Sequence, residues 1–156
     1  MLPALARTYL LVALEGTPTT LQQLLTGIEA DDQRWDVRPD PDRFSLREIV
    51  AHLASIEPNW TERTRLMREE EQPEFARVAL QDERIASNSP LQNLDLLQKG
   101  RTQFVELLRD LKDEEWERTA VSSLMGVITL EQQAVFVLTH DGYHLSQVAQ
   151  WLRGMS

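Results

Sequence analysis

Proline and glycine divide this sequence into four stretches of about 20 residues in which apolar side chains recur every three to four positions. That period is helical, and amphipathic helices in one chain bury their stripes most simply against one another. The first stretch runs from Pro3 to Ile28. Leu5, Tyr9, Leu10 and Val12 to Leu14 mark its first half, and Leu21, Leu24, Leu25 and Ile28 its second. Between them Gly16-Thr17-Pro18 predicts a kink or a break, with Thr17 as an N-cap and Pro18 at the first helical position. After a polar loop from Glu29 to Arg43, Ser45 and Glu48 spell the capping box of a second helix. Its stripe is Leu46, Ile49, Val50, Leu53, Ile56 and Trp60. Pro58 predicts a bend in it, and the acidic run Glu69 to Glu71 reads as its solvated end.

Residues 72 to 90 read as irregular, with room for a short helix. Pro90 opens the third long helix, whose stripe is Leu91, Leu94, Leu97, Phe104, Leu107, Leu108 and Leu111. Gly100 weakens it by up to about 1 kcal/mol relative to Ala. Asp113 to Trp116 is expected to add one turn and Val121 to Ile128 an extended segment around Gly126. Thr129 and Gln132 form a second capping box, and the last helix runs from there to Arg153, with Gly154 as its stop. The expected fold is all-α, a four-helix bundle in a single domain over residues 1–156.

Composition narrows the function. A chain of 156 residues buries roughly 70% of its unfolded surface, so one core suffices without staples. Cys is absent, which excludes disulfides, thiolate zinc sites, Fe–S clusters and a cysteine nucleophile. The 25 acidic residues outnumber the 16 basic ones, and the net charge of −9 argues against a nucleic-acid partner. No apolar run is long enough to span a membrane. The opening Met-Leu-Pro-Ala-Leu-Ala-Arg lacks the order of a signal peptide, so a cytoplasmic location is expected.

The three histidines carry the chemical signal. His140 and His144 are four apart, on one face of the last helix, in a stripe with Val137, Val148 and Trp151. His52 lies beside the Ile49–Ile56 stripe of the second helix, so all three imidazoles can point inward. Two histidines at this spacing can chelate one metal ion. Buried imidazoles bonded to Asp, Tyr or backbone account for the same pattern, and spacing alone leaves both readings open. Asp141, about 100° round the helix from His140, is a candidate base or acceptor for the site, or an exposed helix charge. Glu48 either orients His52 or completes its capping box. Glu57 faces a neighbouring helix or, with the Pro58 bend, becomes a fourth ligand. Tyr143 and Gln147 flank the site, and Trp60 and Trp151 are candidates for a pocket wall.

The chain resembles the DinB/YfiT-like superfamily of metalloenzymes over nearly its whole length. The resemblance rests on Leu14-Glu-Gly-Thr-Pro-Thr-Thr-Leu21, on Trp35, Arg38-Pro39 and Phe44-Ser45, and on Ala51-His52-Leu53 with Glu57 and Trp60. It continues in Gly126-Val-Ile-Thr-Leu130 and His140-Asp-Gly-Tyr-His144-Leu-Ser-Gln147. It implies an up-down-down-up bundle, often a homodimer, in which His52, His140 and His144 hold a divalent ion: zinc, nickel, iron or manganese. Relatives include thiol-dependent enzymes, namely mycothiol-dependent maleylpyruvate isomerases and bacillithiol S-transferases. The implied function is a metal-dependent thiol S-transferase or hydrolase acting on a small molecule, with a low-molecular-weight thiol as a candidate substrate and Asp141 as a candidate catalytic residue. A non-enzymatic metal-binding or stress-associated protein of the same fold is the alternative.

Overall fold

The computed structural model describes residues 1–77 and 83–154. Helix α1 spans Ala4–Leu24 and α2 spans Leu46–Glu69. A single turn, α3, covers Glu83–Ala86, α4 spans Pro90–Arg109 and α5 spans Leu130–Gly154. The short helix expected within 72–90 is α3, and residues 78–82 of that stretch lie outside the described residues. The Ser45–Glu48 capping box is present at the start of α2, and a matching box, Ser89 with Gln92, opens α4. The expected box before α5 is also there: Gln132 and Thr129 exchange backbone-to-side-chain bonds of 2.9 and 3.1 Å.

The expected break in α1 is absent. The helix runs unbroken through Gly16-Thr17-Pro18, and Thr17 is an interior residue rather than a cap. Proline at 18 has no N–H to give the Leu14 carbonyl one turn back, so that oxygen is left for another donor. Arg101 of α4 supplies it at 2.9 Å. The helix is therefore continuous because a side chain from outside replaces the bond that the proline deletes. The stripe also differs from expectation. Leu5, Tyr9 and Val12 are exposed, while Leu10, Leu14, Thr17 and Leu21 are buried.

Two small features lie between the long helices. A 3-10 turn, Gln33–Asp36, buries Trp35, whose indole N–H donates to the Glu29 carbonyl at 2.8 Å. The extended segment near Gly126 is a hairpin of β2 (Thr119–Ser122) and β3 (Gly126–Thr129), with β1 (Glu74–Phe75) added in parallel to β2. Ser122 pairs with Gly126 across a three-residue loop, and Gly126 has φ +72°, the left-handed conformation such a loop requires at its end. The Ser122 hydroxyl accepts from the Leu124 and Met125 amides and holds the loop closed. Strands of two to four residues carry too little alternation to declare themselves in sequence.

The helix directions follow from two apolar clusters. One holds Leu10 and Leu14, Ile56 to Met67, Phe104 to Leu108, and Leu130 to Val137. The other holds Leu21 and Leu25, Leu46 to Ala54, Leu94 and Leu97, and Val148 and Trp151. The first cluster thus takes the start of α1 and α5 but the end of α2 and α4, which makes the bundle up-down-down-up. Each of α1 and α2 packs on both α4 and α5.

Between the clusters lies a polar layer with a member from every long helix: Thr17, Glu57, Arg101 and Asp141, all buried. Arg101 Nε and Nη2 donate to Glu57 at 2.6 and 2.8 Å. Its Nη1 and Nη2 donate to Asp141 at 2.5 and 3.0 Å. The Thr17 hydroxyl donates to Asp141 at 2.8 Å. Burial opposes the Arg101 charge, yet the bonds to Glu57 and Asp141 outweigh it and push its pKa up, while burial pushes the Glu57 carboxyl up. Gly100 is what lets Glu57 come this close, since a Cβ there would sit 2.8 Å from Glu57 Cγ. Gly100→Ala is therefore expected to destabilise the protein by about 1–3 kcal/mol despite the better helix former. Gly16→Ala, whose new methyl meets nothing within 4 Å, should stabilise by up to about 1 kcal/mol. Urea midpoints of the two variants moving in the same direction would contradict this account.

Candidate metal centre

His52 on α2 and His140 and His144 on α5 converge on the side of the polar layer that faces away from Arg101. Each offers a ring nitrogen within 4.8 Å of the other two, and among the described residues no other group of His, Asp or Glu was found to do so. Nε2 of His140 lies 3.1 Å from Nε2 of His52 and 3.2 Å from Nε2 of His144. Metal–nitrogen bonds of about 2.0–2.1 Å in a tetrahedral shell put ligand nitrogens about 3.3–3.4 Å apart, so the cluster has nearly the size one ion requires. The donor set fits as well. The His144 Nδ1 lies 2.8 Å from Gln147 Oε1, an acceptor, which fixes the proton on Nδ1 and leaves Nε2 with a lone pair. Gln147 is held in turn by its amide N–H bond to the Tyr143 hydroxyl at 3.2 Å. His52 and His140 also turn Nε2 to the cluster, and their buried Nδ1 atoms, away from it, have no protein partner.

Burial, and the charge that each neighbouring ring would carry, lower the pKa of all three histidines to about 4. They are neutral at pH 7, the state a ligand needs. Glu57, the candidate fourth ligand, has its carboxylate committed to Arg101. Glu48 completes the capping box and also pairs with Arg38. Asp141 is no exposed helix charge: it is 1% exposed. The structure places its carboxylate on Arg101 and Thr17, on the face of α5 next to that of the histidines, where its negative charge still favours protonation of His140 and His144.

A cavity of about 210 Å³ opens onto His52 and His140. Ile56 and Trp60 of α2, Phe136 of α5, and Leu124 and Met125 of the hairpin loop give it apolar walls. Trp60 is therefore the pocket tryptophan. Trp151 is instead buried at the other end of the bundle, donating to the Phe44 carbonyl at 2.9 Å. A larger depression of about 570 Å³ among Glu70, Glu71, Gln72, Glu117, Arg118 and Thr119 is open to solvent and holds none of the histidines.

Missed in sequence are Arg101 and its pairing with Glu57 and Asp141. A signal for them exists: Arg101 falls on the seam Leu94, Leu97, Arg101, Phe104 and Leu108, and Glu57 on the seam Val50, Leu53, Glu57, Trp60, Thr64 and Met67. A charged residue at a core position of a three-four repeat needs a buried partner. Two such seams of opposite charge in one chain point to each other.

With this geometry in view, the family is settled. The model of the DinB superfamily matches residues 13–148, so the chain belongs to that superfamily. Among solved structures it is similar to YfiT from Bacillus subtilis, described as a probable metal-dependent hydrolase with an unusual four-helix bundle topology. The TM-score is 0.89 at 23% sequence identity, covering 99% of this chain and 90% of YfiT. Among curated proteins no significant match is found. No described helix is long and apolar enough to cross a membrane.

The depressed histidine pKa values give a sign to the pH dependence of the metal-free protein. Unfolded, each ring takes up its proton near pH 6.5. Folded, it does so only near pH 4. Between those values the unfolded chain binds more protons, so stability falls as the pH falls. Chelator-treated protein is expected to lose urea resistance between pH 7 and 5.5, less steeply in a His52→Gln variant. A midpoint independent of pH in that window would contradict the assignment.

Proposed function

We propose that this protein is a metal-dependent enzyme acting on a small molecule, with His52, His140 and His144 as the ligands of one divalent ion (zinc, nickel, iron or manganese). The observation that carries the proposal is the convergence of three neutral Nε2 atoms with no carboxylate among them, with His52 and His140 lining a cavity next to them. Three protein ligands with an open position are the pattern of catalytic rather than structural sites. An ion there would act as a Lewis acid, lowering the pKa of a bound water or thiol so that it is nucleophilic near pH 7. The chain's own residues do the rest. The Gln147 bond holds His144 in one tautomer, and Phe136 stacked on His140 limits its rotation. The cavity walls exclude bulk water from the reacting group. In this reading Asp141 is a positioning residue. Its bond to Arg101 sets the rotation of α5, and so the direction in which His140 and His144 point.

Hydrolysis is the leading reaction, supported by the fold shared with YfiT. Thiol S-transfer to an electrophile uses the same open position. Metal content and turnover test the proposal together. Replacing any of the three histidines by Ala should reduce metal occupancy to near background, and Gln147→Met should weaken affinity by about 10–100-fold. Hydrolysis of activated esters or amides, or reaction of a thiol with a model electrophile, should stop with a chelator and return with one divalent ion. Full occupancy in His144→Ala would overturn the ligand assignment. Tight binding without turnover of either substrate panel would overturn the enzymatic one.

A further inference from the structure

One guanidinium in the cavity wall has no carboxylate partner among the described residues, whereas most arginines of the molecule do; Arg118, which donates to the Met67 and Glu70 carbonyls, is another exception but lies outside this cavity. Arg7, Arg34, Arg38, Arg47, Arg101 and Arg109 all pair with carboxylates. Arg63 of α2 does not, among the described residues. Its Nη2 donates to the Ala76 carbonyl at 2.8 Å, and its Cζ lies 5.6 Å from the Trp60 ring centroid and 5.1 Å from that of Phe75. Nothing in that setting neutralises the charge, and burial pulls its pKa down. Its position is not incidental. His52, Ile56, Trp60 and Arg63 are spaced four, four and three residues apart, which puts them on one face of α2. All four line the cavity. Helical side chains lean toward the N-terminus, so Arg63 reaches back along the wall toward the histidines. The electrostatics agree. The chain carries a net charge of −9, yet among the described residues no Asp or Glu lines this cavity, whose charged residues are Arg63 and Arg77.

We propose that Arg63 is a specificity-determining residue that receives the carboxylate of a small substrate whose apolar body lies between Trp60, Phe136 and the hairpin loop, above the histidine cluster. The class of substrate is thus a short organic acid of aromatic-ring size, held at one end by the guanidinium with its reactive bond toward the histidines. The position of that bond rests on the metal-site reading, but the recognition of the acid does not. An unpaired guanidinium with N–H donors to spare suits a carboxylate because a charged acceptor makes a stronger bond than a neutral one. An amide of the same shape keeps the apolar contacts and loses that gain.

The test is calorimetric titration of phenylacetate, 3-phenylpropionate and the matching amides into the full chain, once after chelator treatment and once loaded with zinc. At least one acid is expected to bind about tenfold or more tightly than its amide in both forms. Arg63→Gln should bring the ratio to within about twofold, while Arg63→Lys should keep part of it. Should Arg63→Gln fail to fold, the wild-type protein still decides. The arginine Nε–H resonance that Arg63→Lys removes should shift with the acid and stay in place with the amide. A ratio unchanged in Arg63→Gln, no preference in the wild type, no binding of any probe, or an unshifted Arg63 resonance would each overturn the proposal. A preference that requires zinc and survives Arg63→Gln would overturn it while supporting the metal site. A protein that takes up no zinc but shows the Arg63-dependent preference would support the proposal and defeat the metal-site reading.

Discussion

A single guanidinium, that of Arg101, holds the four helices in register. It bonds to Glu57 of α2, Asp141 of α5 and the Leu14 carbonyl of α1, and Thr17 closes the ring by donating to Asp141. Burying one cation with two carboxylates is costly, and replacing such a network with apolar groups often leaves a protein no less stable. Its contribution here is to specificity. The two apolar clusters on either side could slide by a turn with modest loss, whereas the polar layer is satisfied in one alignment only.

That alignment also aims the three histidines. On α5, Asp141 and the histidine pair occupy adjacent faces, so fixing Asp141 toward Arg101 turns His140 and His144 toward α2. On α2, Glu57 lies about 140° round the helix from His52, so the two side chains also leave it in different directions. The two polar systems sit back to back and do not share a ligand. Glu57 and Asp141 are kept from the histidines by Arg101, and the histidine cluster stays free of protein carboxylate. Pro18 joins the two ends of this arrangement, because the bond it deletes in α1 is the one Arg101 replaces.

The cavity is assembled differently. Its floor and one wall come from α2 and α5, but its other side comes from the hairpin loop and the segment after β1. Helices set the histidines on rigid elements, and the hairpin between α4 and α5, with the segment after β1, sets the shape of what can approach them. Shape and charge are thus variable without disturbing the histidines, which is how one bundle can serve different substrates.

Much of this was legible from local pattern. The helical period, the capping boxes at Ser45 and Thr129 and the i, i+4 histidine pair are properties of neighbouring residues, and short-range physics decides them. Tertiary structure decided what each polar residue faces. Thr17 reads as a cap and is an interior donor, because Asp141 of α5 offers it a buried acceptor. Asp141 reads equally as a base or as a surface charge and is neither exposed nor free, because Arg101 reaches it from 40 residues away in sequence. The hairpin and its parallel neighbour were hidden because their bonds link residues up to 47 positions apart, Glu74 with Val121. Sequence determines where an element begins and which side is apolar. Which partner satisfies a buried donor or charge depends on the packing of all four helices at once.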